Sequence, residues 1–167
     1  MAVNHVPKVS RDNPTGCCPK FDPAGWDGQT FVFKNKSFVR FTVRSFFYMP
    51  LNMGQVMIKV MNMVEAAHAT DKTENIMLSY DLSPWQSEHF LAVTKNVPGL
   101  ENVELSGTFL SKVFVGPFQD APKWIAVMKE YVASKKKQAK KIYLNYTTCP
   151  KCSKYYGTNY VVAFAQV

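Results

Sequence analysis

Long hydrophobic runs are absent from this chain of 167 residues. No apolar stretch approaches the roughly 20 residues that an α-helix needs to span a bilayer, so the sequence predicts no membrane partner. Residues 1–14 also lack the apolar segment that a secretory signal requires. We therefore expect a cytoplasmic protein.

Several catalytic signatures are missing as well. The sequence contains no Gly-x-Ser-x-Gly elbow, no phosphate-binding P-loop and no His-Glu-x-x-His helix motif. Its three histidines, His5, His68 and His89, lie far apart along the chain, which argues against a histidine-rich metal centre. We expect no nucleotide cofactor.

The composition is that of a folded globular domain. Hydrophobic residues make up 47% of the chain and aromatic residues 14%, which is enough for a core without disulfide bonds. Charged residues make up 19%, a share that argues against disorder. A chain of this length fits one domain, or two small halves that share one core.

The net charge of +8 comes partly from one basic segment, because five lysines fall within residues 135–141. This segment follows a predicted helix, and cations are favourable at a helix C-terminus. A nucleic-acid surface would need basic residues interleaved with aromatic residues on one face, and the rest of the chain lacks that pattern. We expect a solvated helix end and no nucleic-acid partner.

One segment of the sequence occurs twice. Residues Ile76–Asp81 recur as Ile142–Thr147, sixty-six residues later. Each copy follows a helix-like stretch and precedes a second apolar run, His89–Val93 or Asn159–Ala163. Internal repetition of this kind predicts two similar halves, with a ligand between them.

The chain accordingly divides into three parts. Residues 1–28 form an arm rich in proline and glycine, which prevent long regular structure. Because the arm contains Phe21 and Trp26, we expect it to pack against the body. Residues 29–97 contain the first repeat with an extra N-terminal strand, and residues 98–167 contain the second, within a single globular domain.

The predicted fold class is α+β, with a duplicated β-α-β-β unit. We expect strands over Phe31–Phe33 and Phe38–Tyr48, joined by a polar turn, and then a helix over about Asn52–Ala67 whose apolar residues recur at helical spacing. Two such units place both helices on one face of a sheet and leave the opposite, concave face open for a ligand. The remaining predicted elements are strands over Ile76–Tyr80 and Phe90–Thr94 around a loop, a strand over Val103–Val115, a helix over Ala121–Ser134, and strands over Ile142–Tyr146 and Tyr160–Val167.

The duplicated β-α-β-β unit, with the order strand–Gly–Pro–Phe–helix in its second copy, resembles the GyrI-like fold, which is shared with SOUL haem-binding proteins and bacterial effector-binding domains. The matching residues are Val113–Phe118, the helix around Trp124, and Ile142–Tyr146, and the resemblance covers roughly Phe38–Val167. It implies a groove that binds apolar or cationic small molecules. The family often carries a glutamate on its last strand, whereas residues 161–167 contain no acid.

A second resemblance involves the cysteine motifs. Cys17–Pro23, read as CCPKFDP, and Thr147–Cys152, read as TTCPKC, resemble a group of proteins that carry the general label hydrolase. The resemblance implies a hydrolase but specifies no mechanism.

The four cysteines are candidate metal ligands. Cys149 and Cys152 have the two-residue spacing that lets two thiolates bind one tetrahedral ion, and Cys17 and Cys18 would complete the set. A structural zinc there would hold the arm onto the second repeat. A dithiol redox pair, a regulatory disulfide and unconnected thiols are the alternatives.

The predicted groove has its own candidates. Glu88 and His89 are the catalytic candidates, although consecutive strand residues face opposite sides, so only one of them can point into a groove. Aromatic residues near the strand ends could form a box for a flat or cationic ligand, or could be core residues. The candidate ligand-binding residues are Tyr48, Tyr80, Trp85, Glu88, Phe118 and Tyr146.

Two functions follow from these features. The first is a stand-alone GyrI-like protein that holds an apolar or aromatic small molecule in the groove between its repeats, with sequestration and hydrolysis of that ligand as the two alternatives that could follow binding. The second is a zinc-stabilised or thiol-redox interaction module built on Cys17, Cys18, Cys149 and Cys152. The sequence specifies neither the ligand nor the oligomeric state.

Overall fold

The computed structural model describes residues 2–167, and the chain forms seven strands, three α-helices and one short 3₁₀ turn within that range. The predicted helix over Ala121–Ser134 has the bounds expected from the sequence, and the first helix is one residue shorter at each end than predicted. The elements are β1 (Thr30–Phe46), β2 (Met49–Pro50), α1 (Met53–Ala66), β3 (Met77–Ser83), β4 (Gln86–Ala92), β5 (Glu101–Val115), the 3₁₀ turn (Phe118–Asp120), α2 (Ala121–Ser134), β6 (Lys141–Tyr146), α3 (Pro150–Tyr156) and β7 (Tyr160–Gln166).

Six of the strands close into an antiparallel barrel. Their order is β1-β4-β3-β6-β7-β5, and β1 pairs with β5 to complete the circle, while the two-residue β2 extends the sheet beside β1. Closure leaves the long strands without exposed edges, which are a route to aggregation. The fold class is α+β, as the sequence predicted.

The first strand differs from the prediction. The residues expected to form a turn, Lys34–Ser37, lie within a single strand that runs from Thr30 to Phe46. Its pairing with β5 shifts register between Phe33 and Lys36, and Asn35 has a positive φ of 48°. The polar residues therefore form a bulge and not a chain reversal, because asparagine tolerates the left-handed conformation and the ladder resumes beyond it.

The hairpin between β3 and β4 is also tighter than predicted. Most of the expected loop, residues 81–87, belongs to the two strands, and only Pro84 and Trp85 lie between them. The strands pair from Met77↔Leu91 to Ser83↔Gln86. Ser87, Glu88 and His89 are therefore strand residues with alternating orientation.

The barrel interior is packed with side chains, so the expectation of an open concave face was wrong. Phe33, Phe38, Leu78, Phe109 and Phe164 are all nearly inaccessible to solvent there. Six strands enclose a space that large aromatic side chains can fill, so closure removes the concave surface that an open sheet would have.

Both long helices lie on the outside of the barrel. The apolar face of α1 packs on β1 and β4 through Val60 and Val64. Helix α2 packs on β5, β6 and β7 through Trp124, Met128 and Val132. The outer faces of the central strands β3 and β6 thus lie in a trough between the two helices.

The N-terminal arm packs against the barrel without forming a long element. Trp26 is only 6% exposed, and its ring lies 6.1 Å from that of Phe31 and 6.2 Å from that of Phe164. Val6 joins the same apolar cluster. In the part of the chain that the structure describes, no helix has the length and apolar character that crossing a membrane would require.

Candidate functional site

A large groove follows the trough between α1 and α2. Its volume is ≈ 2310 Å³, which exceeds the about 300–1,000 Å³ of most small-molecule pockets, so a small ligand would occupy part of it. Sheet residues form its floor, the helices form its sides, and the N-terminal arm closes one end. Apolar side chains of the groove include Met53, Met57, Met61, Leu91, Ile125 and Leu144.

A histidine with two serine partners lies in the floor of the groove. Ser79 Oγ is 2.8 Å from His89 Nδ1, and Ser87 Oγ is 2.9 Å from His89 Nε2. The ring of Phe41 stacks on the imidazole at a centroid distance of 5.3 Å. All three polar residues are less than 10% exposed, and all three border the groove. Both ring nitrogens of His89 therefore have a hydroxyl partner.

Strand geometry brings these three side chains together. Ser79 of β3 is directly opposite His89 of β4 in the antiparallel register. Ser87 precedes His89 by two residues on the same strand, so both side chains point to the outer face. Sequence reasoning identified His89 but missed both serines. The available signal was the spacing Ser87-x-His89 in an alternating strand, which required the correct hairpin register.

Burial decides the charge of His89. Removal of the ring from water lowers its pKa to about 4, and the nearby charge of Glu88 opposes this only in part. The imidazole is therefore neutral at pH 7. A neutral imidazole carries one N–H donor and one lone pair, so it donates to one serine and accepts from the other.

Glu88 points away from the groove. Its carboxylate, with a side-chain exposure of 5%, lies on the interior face, where it accepts from Arg40 Nε at 2.8 Å and from the ammonium of Lys141. Burial raises the pKa of Glu88, but the two cations outweigh burial and leave the pKa below its ordinary value. Of the two catalytic candidates, only His89 borders the groove, and Glu88 serves an internal ion network.

The aromatic candidates lie in different places. Tyr48, Phe118 and Tyr146 border the groove, and the rings of Phe118 and Tyr146 are 5.7 Å apart. Burial raises the pKa of Tyr146 to about 12, so its hydroxyl stays protonated. Tyr80 borders the groove too, but its ring packs in the interior cluster with Lys141 Nζ 4.3 Å from its centroid.

Trp85 belongs to an exposed aromatic loop at the rim. Its ring lies 5.0 Å from that of Phe47 and 5.7 Å from that of Phe46, and it is 51% exposed. Phe47 and Tyr48 have positive φ angles of 45° and 67°, which cost energy for residues with large side chains. The β1–β2 connection is therefore strained as well as exposed.

The four cysteines form a second site at the end of the groove. The Sγ atoms of Cys17, Cys18, Cys149 and Cys152 all lie within 4.8 Å of one another. Tetrahedral zinc with bonds of about 2.3 Å places its sulfur ligands about 3.8 Å apart, and the Cys17–Cys18 separation is 3.7 Å. The donor set fits a thiolate-bound zinc ion without large movements.

Local structure differs from prediction around Cys149 and Cys152. A tight turn was expected, but residues Pro150–Tyr156 form helix α3 with Cys149 as its N-cap. The backbone N–H of Cys152 points at Cys149 Sγ at 3.5 Å, and that of Cys149 points at Cys18 Sγ at 3.4 Å. Proline at the first helical position favours this start, and N–H donors favour the thiolate forms.

The thiols have unequal acidity. The nearby Thr15 hydroxyl lowers the pKa of Cys152 to about 7, whereas burial raises the pKa of Cys18 far above its ordinary value. Four thiolates so close together would repel one another. A bound divalent cation would offset that repulsion, and metal binding would release protons.

Comparison with known proteins identifies one family. A family model described as "Bacterial hydrolase" matches residues 8–167, which includes the groove, the His89 cluster and all four cysteines. No curated protein matches the chain.

Proposed function

This chain belongs to the bacterial hydrolase family, and we propose that it binds a small, mostly apolar molecule in the groove between α1 and α2 and hydrolyses it. The observation that carries the proposal is the trough of apolar side chains with a neutral His89 and two hydroxyl groups in its floor. Apolar walls with a few converging polar groups are typical of ligand sites.

We propose further that the arrangement is GyrI-like. Three features support this. Apart from the two-residue β2, the order strand–helix–strand–strand occurs in β1-α1-β3-β4 and again in β5-α2-β6-β7, and both long helices lie on one side of the sheet. The sheet order β1-β4-β3 followed by β6-β7-β5 is symmetric about the β3–β6 contact. In this arrangement the ligand lies where the two repeats meet.

A neutral aromatic dye such as Nile red tests binding. We expect saturable fluorescence and a higher melting temperature for the parent protein. Phe118 borders the groove, so Phe118→Ala should weaken dye binding about tenfold or more, since a buried phenyl ring contributes roughly 1.5–3 kcal/mol.

Phe46→Ala is the matched control for the dye experiment, because Phe46 is 55% exposed on the rim loop and does not border the groove. Its variant should bind the dye like the parent. Weaker binding by the Phe46 variant with unchanged binding by the Phe118 variant would locate the dye on the surface loop and contradict the groove proposal.

A second function is favoured by the cysteine geometry. We propose that Cys17, Cys18, Cys149 and Cys152 hold a structural zinc ion that fastens the arm to α3. The Tyr156 hydroxyl supports the same junction by donating to the Cys18 carbonyl at 2.6 Å. Because Cys17, Cys18 and Cys149 also border the groove, the ion would maintain one end of the ligand site.

Native mass spectrometry of the reduced protein tests the zinc proposal. We expect the mass of one zinc ion per chain, which a strong chelator removes, and loss of that mass in Cys149→Ser. Ser153→Ala, a neighbouring substitution outside the thiol cluster, should retain it. A mass equal to the bare polypeptide would contradict the proposal. In a parallel sample prepared without reductant, a mass lower by two hydrogens would favour the alternative thiol-redox module.

A further inference from the structure

The hydroxyl–imidazole cluster in the groove floor has the elements of a nucleophilic centre. His89 accepts a hydrogen bond from only one serine at a time, since a neutral imidazole ring has one lone pair. The other serine accepts from the remaining N–H and so holds the tautomer and the ring plane, with the stacked Phe41 on the ring face. In nucleophilic catalysis, an imidazole commonly activates a hydroxyl group while a third group orients the imidazole.

We infer that Ser79, Ser87 and His89 form the catalytic centre of a carboxylic-ester hydrolase, with one of the two serines as nucleophile and His89 as general base. This inference rests on the proposed function, because it requires the ester to bind in the groove between α1 and α2. The apolar part of the substrate lies against Met53, Met57 and Met61 of α1, which border the same groove.

The reaction proceeds in two steps, acylation of the serine and hydrolysis of the acyl-serine. The serine oxygen bonds to the ester carbonyl carbon while its proton moves to the lone pair of His89. The bond to the alcohol oxygen then breaks, and the alcohol leaves with that proton, which produces an acyl-serine. Water attacks the acyl carbon, transfers a proton to His89, and releases the carboxylic acid as the serine regains its proton.

Two properties of the site select the substrate class. Burial keeps His89 uncharged and therefore able to accept a proton at neutral pH, but a base with a pKa of about 4 is weak. Esters with good alcohol leaving groups suit such a base better than amides do. The apolar groove favours a longer acyl chain, by up to about fourfold in kcat/KM for each methylene group that is buried.

A fluorophosphonate probe, which phosphonylates activated serines, tests the assignment directly on the full chain. We expect a single adduct that peptide mass spectrometry locates on Ser79 or Ser87. The corresponding serine-to-alanine variant should lose the adduct, and His89→Gln should slow labelling by about 10²-fold or more, the range of general-base effects. p-Nitrophenyl hexanoate should be hydrolysed faster than p-nitrophenyl acetate.

Ser37→Ala is the matched control. Ser37 is half-buried on β1, does not border the groove and makes no hydrogen bond with His89. This variant should be labelled at the parent rate. The adduct is mapped on the parent protein, so the nucleophilic serine is identified even if a variant fails to fold.

The outcomes separate the two proposals. An adduct on another residue, no adduct, or parent-rate labelling of folded His89→Gln overturns the catalytic assignment. If the dye still binds the groove in that case, the binding proposal stands without it. An adduct on Ser79 or Ser87 in a protein that binds no apolar dye would support the nucleophilic centre but overturn both the binding proposal and the assignment of apolar esters as substrates.

Discussion

At the scale of single residues, His89 and Glu88 show how one position along a strand changes the chemistry of a side chain. Glu88 faces the barrel interior, where Arg40 and Lys141 keep it ionised. His89 faces the helices and the groove, where hydroxyl groups satisfy a neutral ring. Alternation along the strand separates the acid from the imidazole, so the two cannot act together.

The depressed pKa of His89 predicts a pH-dependent stability. The unfolded chain binds a proton near pH 6.5, whereas the folded ring binds it only near pH 4. Stability contributed by the neutral ring is therefore fully present above pH 6.5 and is lost as the pH falls toward 4. The loss should approach about 3 kcal/mol at pH 4, which follows from 1.36 kcal/mol per pKa unit.

Urea unfolding between pH 7 and pH 4 measures this loss. His89→Gln should show a smaller decrease in the free energy of unfolding over that interval, while His68→Asn, at an exposed position, should follow the parent. Comparing the variants cancels the effect of acid on the cysteine cluster. Parallel pH profiles for the parent and the His89 variant would show that the ring does not titrate as described.

At the scale of secondary-structure elements, the helices were easier to predict than the strands. The apolar residues of α1 and α2 recur at three- and four-residue spacing because one side of each helix lies on the barrel. Strand boundaries depended on bulges and on hairpin register, as at Asn35 and at the Pro84–Trp85 turn. Bulges and hairpin register depend on the partner strand, so the residues of one strand alone do not predict them.

Helix α3 was missed for a different reason. It is only seven residues long, and a helix of that length is not stable by itself. Its residues read as a hairpin turn because Cys149 and Cys152 dominate the local pattern. Contacts with the arm, such as the bond from Tyr156 to Cys18, stabilise it in the folded protein.

At the scale of the whole molecule, an ion network links the two halves of the chain inside the barrel. Arg40 and Glu88 come from the first half, and Lys141 comes from the second. Lys141 belongs to the basic segment that the sequence analysis assigned to solvent, yet its ammonium lies among Glu88 and the rings of Tyr80 and Tyr143. Lys141 is the first residue of β6, and its side chain lies on the same side of that strand as the buried Tyr143.

Removal of the central carboxylate should destabilise the fold. Glu88→Gln leaves Arg40 and Lys141 without their shared partner, and breaking a buried pair costs roughly 3–5 kcal/mol. Because both cations are about a quarter exposed, we expect a loss of about 2–3 kcal/mol in urea unfolding.

Glu101→Gln is the matched control for that substitution. Glu101 also pairs with Arg40, but its side chain is 57% exposed, so its loss should cost about 0–1 kcal/mol. Equal destabilisation by both substitutions would show that the network contributes no more than an ordinary surface ion pair.

The sequence by itself determined the α+β class, the two amphipathic helices, the twice-occurring strand motif and the two-residue spacing of Cys149 and Cys152, because periodicity and ligand spacing are local properties of a chain. Tertiary structure alone decided that the sheet closes, that the groove lies between the helices, that Ser79 and Ser87 meet His89, and that Cys17 and Cys18 reach Cys149 and Cys152. These results depend on strand register and barrel closure, which join residues far apart in the sequence through backbone pairing and the shared burial of apolar side chains.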